Sequence, residues 1–260
     1  PKPMETPIAT NSLVLGRILS RHARYRGGHP AVAFGDRRLS YREFDRLVNR
    51  WANALASLGV VRGERVATIL PNTVEGLATY WACAKLGAAA VPLSPLLLED
   101  GLVSLLADAR PRVVLSNAAF AATLSRVRDR LAEAPVVVSI DAESGDAAGF
   151  AALVAAASDV EPPAVAQADD LVTLIYSSGT TGLPKGIMHT HLIRAMYAGL
   201  FASSFRMAPE SRVLQTGSLV FNGAFVTMLP AFYCGASYYL HPQFDAEAAL
   251  ATIERERITH

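Results

Sequence analysis

Hydrophobic positions in this chain recur at two spacings, and the two spacings alternate along its length. Between residues 44 and 55 the apolar side chains stand at Phe44, Leu47, Val48 and Trp51, a period that predicts an amphipathic helix. Capping and periodicity predict further helices at residues 72–87, 99–109, 119–134, 191–207 and 246–257. Short apolar runs predict strands at residues 65–70, 89–93, 112–115, 136–140 and 171–176.

Capping residues mark where two of these helices begin. Ser40 and Glu43 form a capping-box pattern ahead of the first helix, and Asn72 and Glu75 repeat the pattern ahead of the second. Gly87 is expected to end the second helix, because glycine accepts the left-handed conformation of a helix end. The first thirty-odd residues are predicted to form a loosely structured lead-in.

The alternation predicts an α/β fold of layered sheets with flanking helices, since strand–helix–strand spacings of this length suit parallel crossovers. Residues 141–170 differ, because they contain an alanine-rich helix and then Glu161-Pro162-Pro163, which is typical of a linker. We therefore predict an N-terminal α/β subdomain over residues 1–160 and a second, incomplete α/β subdomain over residues 161–260, which begins with a segment rich in glycine and hydroxyl side chains.

Composition supports a folded globular protein and excludes several function classes. Hydrophobic residues make up 51% of the 260 residues and charged residues 18%, too apolar a balance for a disordered chain. A net charge of +1 gives no support to a nucleic-acid or membrane-surface role. Cys83 and Cys234 each stand in an apolar stretch and are predicted to be buried thiols in a reducing cytosol.

No targeting or membrane-spanning segment is expected. No basic-then-apolar leader opens the sequence, so we expect a cytoplasmic protein. The apolar stretch from Leu77 to Leu98 is interrupted by Lys85, Gly87 and two prolines, so it is predicted to form a helix and a strand of the core.

The segment after the strand at 171–176 carries the most specific chemistry. Its sequence is Ser177-Ser178-Gly179-Thr180-Thr181-Gly182-Leu183-Pro184-Lys185-Gly186. Glycines let backbone N–H groups approach a ligand, four hydroxyls add donors, and Lys185 adds a positive charge. This combination on a glycine-rich turn suits a polyphosphate.

Two other interpretations of this segment fit less well. A Walker-type loop needs a second glycine where Pro184 stands and a hydroxyl where Gly186 stands. An ordinary surface turn rich in serine, threonine and glycine does not explain why Thr-Thr-Gly and Pro-Lys-Gly together follow a buried strand.

The run at residues 176–186 resembles the signature loop of the adenylate-forming superfamily, which includes acyl-CoA synthetases, aryl-CoA ligases, luciferases and adenylation domains of peptide synthetases. Two further stretches are similar to family motifs in the expected order. Residues 39–44, Leu-Ser-Tyr-Arg-Glu-Phe, resemble its Leu-Thr-Tyr-x-Glu-Leu motif, and residues 85–93 resemble its Lys-x-Gly-Ala-x-x-Val-Pro segment. The resemblance implies the fold of the N-terminal large domain of acyl-CoA synthetases.

The resemblance implies an enzyme that activates a carboxylic acid in two steps. The acid attacks the α-phosphorus of ATP to give an acyl-adenylate and pyrophosphate, and a thiol, usually that of coenzyme A, then displaces AMP. Carried over to this sequence, the β- and γ-phosphates are held by Ser177, Ser178, Gly179, Thr180, Thr181, Gly182 and Lys185. Thr180 is also expected to contact Mg²⁺, and Lys185 and Thr180 are the expected catalytic residues.

The acid is expected to bind near Phe221, Asn222 and Gly223, where the family has a further motif. Many CoA ligases carry an aromatic–His pair there, but this chain has no histidine in the motif. Amino-acid-activating domains carry Phe-Asp, whose aspartate binds the ammonium group, whereas Asn222 has no charge. A fatty or aryl acid is therefore favoured over an amino acid. Core packing remains the alternative for Phe221 and Phe225.

Two polar pairs are predicted to have no catalytic function. His189 and His191 flank Thr190, but no Cys or acidic residue joins them to complete a metal site, and His191 is expected to support a helix start. Asp169 and Asp170 are expected to cap or solvate the start of the strand.

Later motifs of the family have no counterpart in this sequence. These are an acidic Mg²⁺ ligand, a ribose-binding aspartate, a hinge and the lysine of a C-terminal lid; lysine occurs only at positions 2, 85 and 185. We therefore expect the N-terminal portion of a larger synthetase without its lid domain, inactive or weak alone. Two alternatives for the function stay open: an adenylation domain that loads a carrier protein, and a non-catalytic nucleotide-binding fragment. For the oligomeric state, a homodimer stays open.

Overall fold

The computed structural model describes residues 13–141, 149–177 and 184–260. In this part of the chain, helices and strands alternate as the hydrophobic pattern predicts. The helices are α1 (Leu15–Tyr25), α2 (Tyr41–Ser57), α3 (Val74–Leu86), α4 (Glu99–Ala109), α5 (Ala121–Arg128), α6 (Phe150–Ala156), α7 (His191–Ser204), α8 (Ala224–Cys234) and α9 (Ala246–Glu256). The strands are β1 (Pro30–Phe34), β2 (Arg37–Ser40), β3 (Arg65–Ile69), β4 (Ala89–Pro92), β5 (Val113–Ser116), β6 (Val136–Ser139), β7 (Leu171–Ser177), β8 (Lys185–Thr190), β9 (Arg212–Gln215) and β10 (Ser237–Leu240).

The larger sheet of the described residues has six strands in the order β6-β5-β3-β4-β7-β8. All neighbouring strands in it are parallel except β7 and β8, which pair antiparallel. Parallel strands need crossover connections, and α3 supplies the one from β3 to β4. The layered α/β fold predicted from the sequence is confirmed.

A second sheet has four strands in the order β2-β1-β10-β9. The pairs β1–β10 and β10–β9 are parallel, and β1–β2 is antiparallel. Both sheets combine strands from the two sides of residue 160: β1 pairs with β10, and β4 pairs with β7. The division of the chain at residues 160 and 161 stays a prediction.

Aromatic side chains join the helices to the smaller sheet. Phe232 of α8 lies within 6.1 Å, between ring centroids, of Tyr41, Phe44, Trp81 and Tyr238. These rings come from α2, α3 and β10 and are all buried. Large aromatic surfaces buried together supply much of the hydrophobic stabilisation of such a core.

Three local predictions were wrong. The predicted lead-in contains α1 and the hairpin of β1 and β2. The helix predicted over residues 119–134 is a short 3₁₀ turn followed by α5, which ends at Arg128. The N-cap of α3 is Thr73, whose side chain accepts from the backbone N–H of Gly76, so Asn72 does not cap. By contrast, the predicted capping box of Ser40 and Glu43 is confirmed.

Residues 77–98 lie in α3, β4 and the turn that follows. No helix in the described residues is long and apolar enough to cross a membrane. Cys83 of α3 is buried, and burial raises the pKa of its thiol to about 12, so it stays protonated near neutral pH. Cys234 is only half-buried, contrary to the prediction, and its Sγ donates to the Met207 carbonyl at 3.5 Å.

Lys85, near the end of α3, is a buried cation on which four segments converge. Its side chain is 2% exposed. Nζ donates to Asp45 Oδ1 at 2.6 Å and Asn49 Oδ1 at 2.7 Å in α2, and to Ser20 Oγ at 2.8 Å in α1. A further bond at 3.2 Å reaches Glu161 Oε1. The ammonium therefore ties α1, α2, α3 and the segment before β7 together.

We predict that Lys85→Met destabilises the fold by roughly 3 kcal/mol, because it leaves the Asp45 carboxylate without its cation inside the protein. Lys185→Met is the matched control, since Lys185 is exposed on β8 and its loss should change stability by less than about 0.5 kcal/mol. Urea unfolding of both variants measures the difference. Equal midpoints would contradict the role given to Lys85.

His191, the first residue of α7, joins α7 to α1. It is fully buried, and its Nδ1 accepts from the backbone N–H of Leu15 at 3.2 Å. Burial lowers the pKa of His191 to about 4, against a smaller opposing effect of the Asp170 charge. Burial also lowers the pKa of His189 to about 4. Both imidazoles are therefore neutral in the folded protein near neutral pH.

The low pKa values of His189 and His191 predict that the fold loses stability at acid pH. Because their pKa values are lower in the folded protein than in the unfolded chain, the unfolded chain binds more protons between pH 6.5 and about 4. Stability should fall as the pH drops through this window, by roughly 2 kcal/mol for each histidine between about pH 7 and about pH 5.

Urea unfolding across this pH range tests the effect, with His191→Gln as the comparison. Gln keeps an acceptor for the Leu15 N–H but does not titrate. It should remove the share of the pH dependence that belongs to His191, roughly 2 kcal/mol between about pH 7 and about pH 5. An unchanged pH dependence in the variant would contradict the assignment to His191.

Candidate active site

The ends of β7 and β8 frame the glycine-rich segment. The two strands pair from Leu171 opposite Thr190 to Ser177 opposite Lys185, the pair next to the loop. Ser177 and Lys185 are both exposed. Their hydroxyl and amino groups therefore lie on neighbouring strands at one solvent-facing mouth, where both can donate to phosphate oxygens.

The other predicted phosphate contacts, Ser178, Gly179, Thr180, Thr181 and Gly182, lie outside the described residues. Their roles, including the Mg²⁺ contact of Thr180, stay predictions. The described strands do define where this segment leaves the sheet. Because β7 is parallel to β4, Ser177 lies at the carboxyl edge of the parallel strands, the edge at which open α/β sheets bind ligands.

Gly186 lets β7 and β8 meet closely beside this mouth. A Cβ at Gly186 would lie 2.9 Å from Leu174 Cδ1 and 3.3 Å from Tyr176 Cε1. The Tyr176 hydroxyl donates to the carboxylate of Asp108 in α4. Burial, together with that carboxylate, raises the pKa of Tyr176, so the phenol remains a donor and fixes the end of β7 to α4.

The predicted acid-binding residues Phe221, Asn222 and Gly223 form an exposed turn directly before α8. Phe225 N–H donates to the Asn222 carbonyl at 3.1 Å as the helix begins. Phe221 is 60% exposed, whereas Phe225 is 3% exposed. Core packing therefore describes Phe225, and Phe221 is available to contact a ligand.

Asn72, which follows β3, holds the segment that leads into this turn. Its Nδ2 donates to the Gly217 carbonyl at 2.9 Å and the His241 carbonyl at 3.0 Å. Its Oδ1 accepts from the Leu219 backbone N–H at 2.8 Å. The amide thereby fixes residues 217–219 against the carboxyl end of β3. Because β3 and β7 run in the same direction, this segment and Ser177 lie at the same edge of the sheet.

Arg194 of α7 connects the strand of the phosphate segment to the helix after the acid-binding turn. Its Nε and Nη2 donate to Thr173 Oγ1 of β7 at 3.1 and 3.0 Å. Its guanidinium carbon lies 4.0 Å from the ring centroid of Phe225 in α8. The side chain is 1% exposed and forms no ion pair within the described residues. Burial lowers its pKa to about 10, so the group remains a cation at neutral pH.

Tyr80 of α3 completes this support. Its hydroxyl donates to the Leu219 carbonyl at 2.7 Å, and its ring meets Phe225 edge to face with centroids 5.2 Å apart. Tyr80, Asn72 and Arg194 are not among the residues that the sequence predicted for the site. The sequence indicated them only by residue type, since each is a polar or amphipathic side chain within an apolar stretch.

The remaining polar candidates have structural contacts. Asp170 accepts from Arg62 Nε and Nη2 at 2.7 and 2.8 Å and from the backbone N–H of Gln167 at 2.8 Å, which fixes the start of β7. The Arg62 bonds lower the pKa of Asp170. The part of the chain that the structure describes contains no group of three or more His, Cys, Asp or Glu able to hold a metal ion.

The sequence and fold are similar to those of known ligases. Indoleacetate–CoA ligase of Aromatoleum aromaticum is 36% identical over 94% of this chain and 48% of its own length. The N-terminal domain of FACL13 from Mycobacterium tuberculosis superimposes with a TM-score of 0.85 at 30% identity, covering 94% of this chain and 61% of that one. The anthranilate CoA ligase AuaEII, solved with anthranoyl-AMP, gives 0.88 at 29% identity, covering 94% and 48%.

The chain spans about half the length of the curated relatives that it matches. The family described as AMP-binding enzyme matches residues 19–260, which include both sheets and the mouth formed by Ser177 and Lys185. This chain belongs to the AMP-binding enzyme family and corresponds to the N-terminal portion of its acyl- and aryl-CoA ligases.

Proposed function

We propose that this chain is the part of an AMP-forming acid–thiol ligase that binds ATP and a carboxylic acid. The observation that carries the proposal is the pairing of Ser177 with Lys185 at the carboxyl edge of the parallel strands, in a chain of the AMP-binding enzyme family. The whole protein converts the acid to an acyl-adenylate and then, with coenzyme A, to a thioester. We propose a cytoplasmic location and leave a homodimer as a prediction.

In this proposal the phosphate segment binds the β- and γ-phosphates of ATP. Ser177 and the hydroxyls and amides of residues 178–182 donate to phosphate oxygens, and Lys185 places its ammonium beside the pyrophosphate that leaves. A cation and fixed donors at that position lower the barrier, because negative charge accumulates there during the first step. Mg²⁺, held in part by Thr180, would neutralise phosphate charge when bound.

The proposed acid site is the turn of Phe221, Asn222 and Gly223. Asn72 and Tyr80 hold the backbone ahead of this turn, and Phe221 presents an exposed ring to an apolar or aromatic acid. Asn222 contributes a neutral amide, which suits a substrate without an ammonium group. A fatty or aryl acid is the proposed substrate class, since relatives of this chain include an indoleacetate–CoA ligase and a long-chain-fatty-acid–CoA ligase.

Carboxylate-dependent exchange of pyrophosphate into ATP tests this function on the longest natural form of the protein. Exchange with a fatty or aryl acid, and none with amino acids, is the expected result. Thioester formation with coenzyme A, compared with a phosphopantetheinyl carrier protein, identifies the acceptor. Nucleotide binding without exchange for any acid would favour a non-catalytic module.

Lys185→Ala should lower the exchange rate about 100-fold, because it removes the cation beside the departing pyrophosphate. KM for ATP should rise more than KM for the acid. Met188→Ala is the matched control, since Met188 is exposed on the same strand and should leave exchange unchanged. An unaltered rate in Lys185→Ala would place the phosphates elsewhere.

Asn222→Asp should raise KM for the acid about tenfold, because it sets a second negative charge beside the substrate carboxylate. Asn222→Ser removes the amide without adding charge and should change KM less. The two variants are compared by exchange kinetics at saturating ATP. A KM for the acid that is unchanged or lower in the aspartate variant would contradict the proposed acid site.

A further inference from the structure

An open cleft of about 840 Å³ lies between α1, α2 and the segment before β7. Its size falls within the range of small-molecule sites. Its walls are polar. The positively charged lining residues are Arg17, Arg21, Arg24, Arg42 and Arg46, and the negatively charged ones are Asp45, Asp159 and Glu161. Nothing in the proposed chemistry uses this cleft.

The arginines form two rows that flank the cleft. Arg17, Arg21 and Arg24 recur at spacings of four and three residues, so they share one face of α1. Arg42 and Arg46 are four residues apart on α2 and share one of its faces. All five are exposed to solvent. Guanidinium groups on two facing helices can reach one anion from both sides.

Most of these arginines are not neutralised by the protein. Within the described residues, no carboxylate oxygen lies within 4.0 Å of the guanidinium nitrogens of Arg17, Arg21, Arg24 or Arg42. In the described parts of the chain, the partners of Arg21 Nη2 are the Tyr233 carbonyl at 3.2 Å and Nε2 of the neighbouring His22 at 3.4 Å.

The three carboxylates of the cleft already have cationic partners, and one of these partners, Arg46, belongs to the cleft itself. Asp45 and Glu161 accept from the buried Lys85. Asp159 lies 3.8 Å from Arg46 and 4.0 Å from Arg50. The cleft therefore keeps a local excess of positive charge, although the whole chain carries a net charge of only +1.

The cleft lies away from the phosphate segment. The floor of the cleft surrounds Lys85, near the end of α3. Two residues further along, the Gly87 carbonyl accepts a hydrogen bond at 2.9 Å from Gly63 N–H, in the loop before β3. This is the amino edge of the parallel strands, whereas Ser177 ends β7 at the carboxyl edge. A ligand in the cleft is therefore separated from the proposed ATP site by the length of the strands.

We propose that this cleft binds a small molecule that carries two or more phosphate groups. The planar guanidinium group pairs with phosphate oxygens through two parallel N–H bonds, and five such groups exceed the need of a single phosphate. Tyr25, which lines the cleft and is 75% exposed, offers an aromatic face for the base of a nucleotide.

Calorimetric titration with inorganic triphosphate tests the proposal. The triple variant Arg17→Gln, Arg21→Gln, Arg24→Gln should weaken binding about tenfold or more, because it removes one row of guanidinium groups. Arg42→Gln with Arg46→Gln removes the second row independently and should also weaken binding about tenfold. If one of these variants fails to fold, which circular dichroism detects, the other still tests the proposal.

The control is the triple variant Arg126→Gln, Arg128→Gln, Arg130→Gln, which changes the net charge equally at exposed arginines outside the cleft. It should bind triphosphate like the parent chain, and Lys185→Ala, which weakens the phosphate segment alone, should keep the binding that the cleft variants remove. Loss of binding in Lys185→Ala with none in the cleft variants would overturn the proposal in favour of the phosphate segment. Equal weakening in the control triple would also overturn it, since this would indicate unspecific attraction.

Two further titrations identify the source of the phosphates. Adenosine 3′,5′-bisphosphate and ATP, each added to Lys185→Ala, should bind more tightly than triphosphate if Tyr25 stacks with the base, and Tyr25→Ala should remove that gain. An acidic peptide that occupies the cleft while triphosphate does not bind would overturn the small-molecule proposal in favour of a protein partner. None of these outcomes depends on ligase activity, so the two proposals fail separately.

Discussion

A buried ammonium group has to be surrounded by acceptors, and Lys85 meets this constraint by drawing separate parts of the chain together. Its acceptors come from α1, α2 and the segment before β7, while its backbone belongs to the end of α3. Lys85 therefore holds the segment that leads toward β7 against α1 and α2, while Asp170, bonded to Arg62, fixes the start of the strand that ends at Ser177.

Arg194 is a second buried cation, but its partners differ from those of Lys85. It is buried as completely as Lys85, yet its partners in the described residues are one hydroxyl and one aromatic face. A buried cation with so few polar partners lowers the stability of the fold. Proteins tolerate this cost where the position of the side chain matters. Arg194 touches β7 and α8 at once, so it connects the strand that leads into the phosphate segment to the helix that follows the turn proposed to hold the acid.

The sequence predicted what depends on local pattern and missed what depends on distant partners. The capping box of Ser40 and Glu43 was predictable because both groups lie within one turn of helix. Asn72 also fits a cap, but Thr73 takes that role, and the amide of Asn72 bonds residues far along the chain. Helix α1 is an exception, because it was not predicted although Leu15, Ile18 and Leu19 stand at helical spacing opposite a face of arginines.

The same limit applies to the candidate site. The family motifs indicated residues 177–185 and 221–223, and the fold brings the ends of both segments to one edge of the sheet. Tyr80 and Arg194 carry no motif, because their contacts exist only after α3, α7 and α8 have packed. The arginine rows of α1 and α2 likewise became a common cleft only when the two helices were placed side by side.

The burial of Lys85 also determines which amines of this protein are open to chemical modification. The sequence contains three lysines, and one of them is enclosed by carboxylates and an amide in the core. An acylating or acetylating agent therefore meets Lys185, exposed at the mouth of the phosphate segment, without competition from Lys85. Among the described residues, covalent modification of a lysine amine, whether by a laboratory reagent or by an acetyltransferase, would thus fall on the residue whose charge the proposed reaction needs.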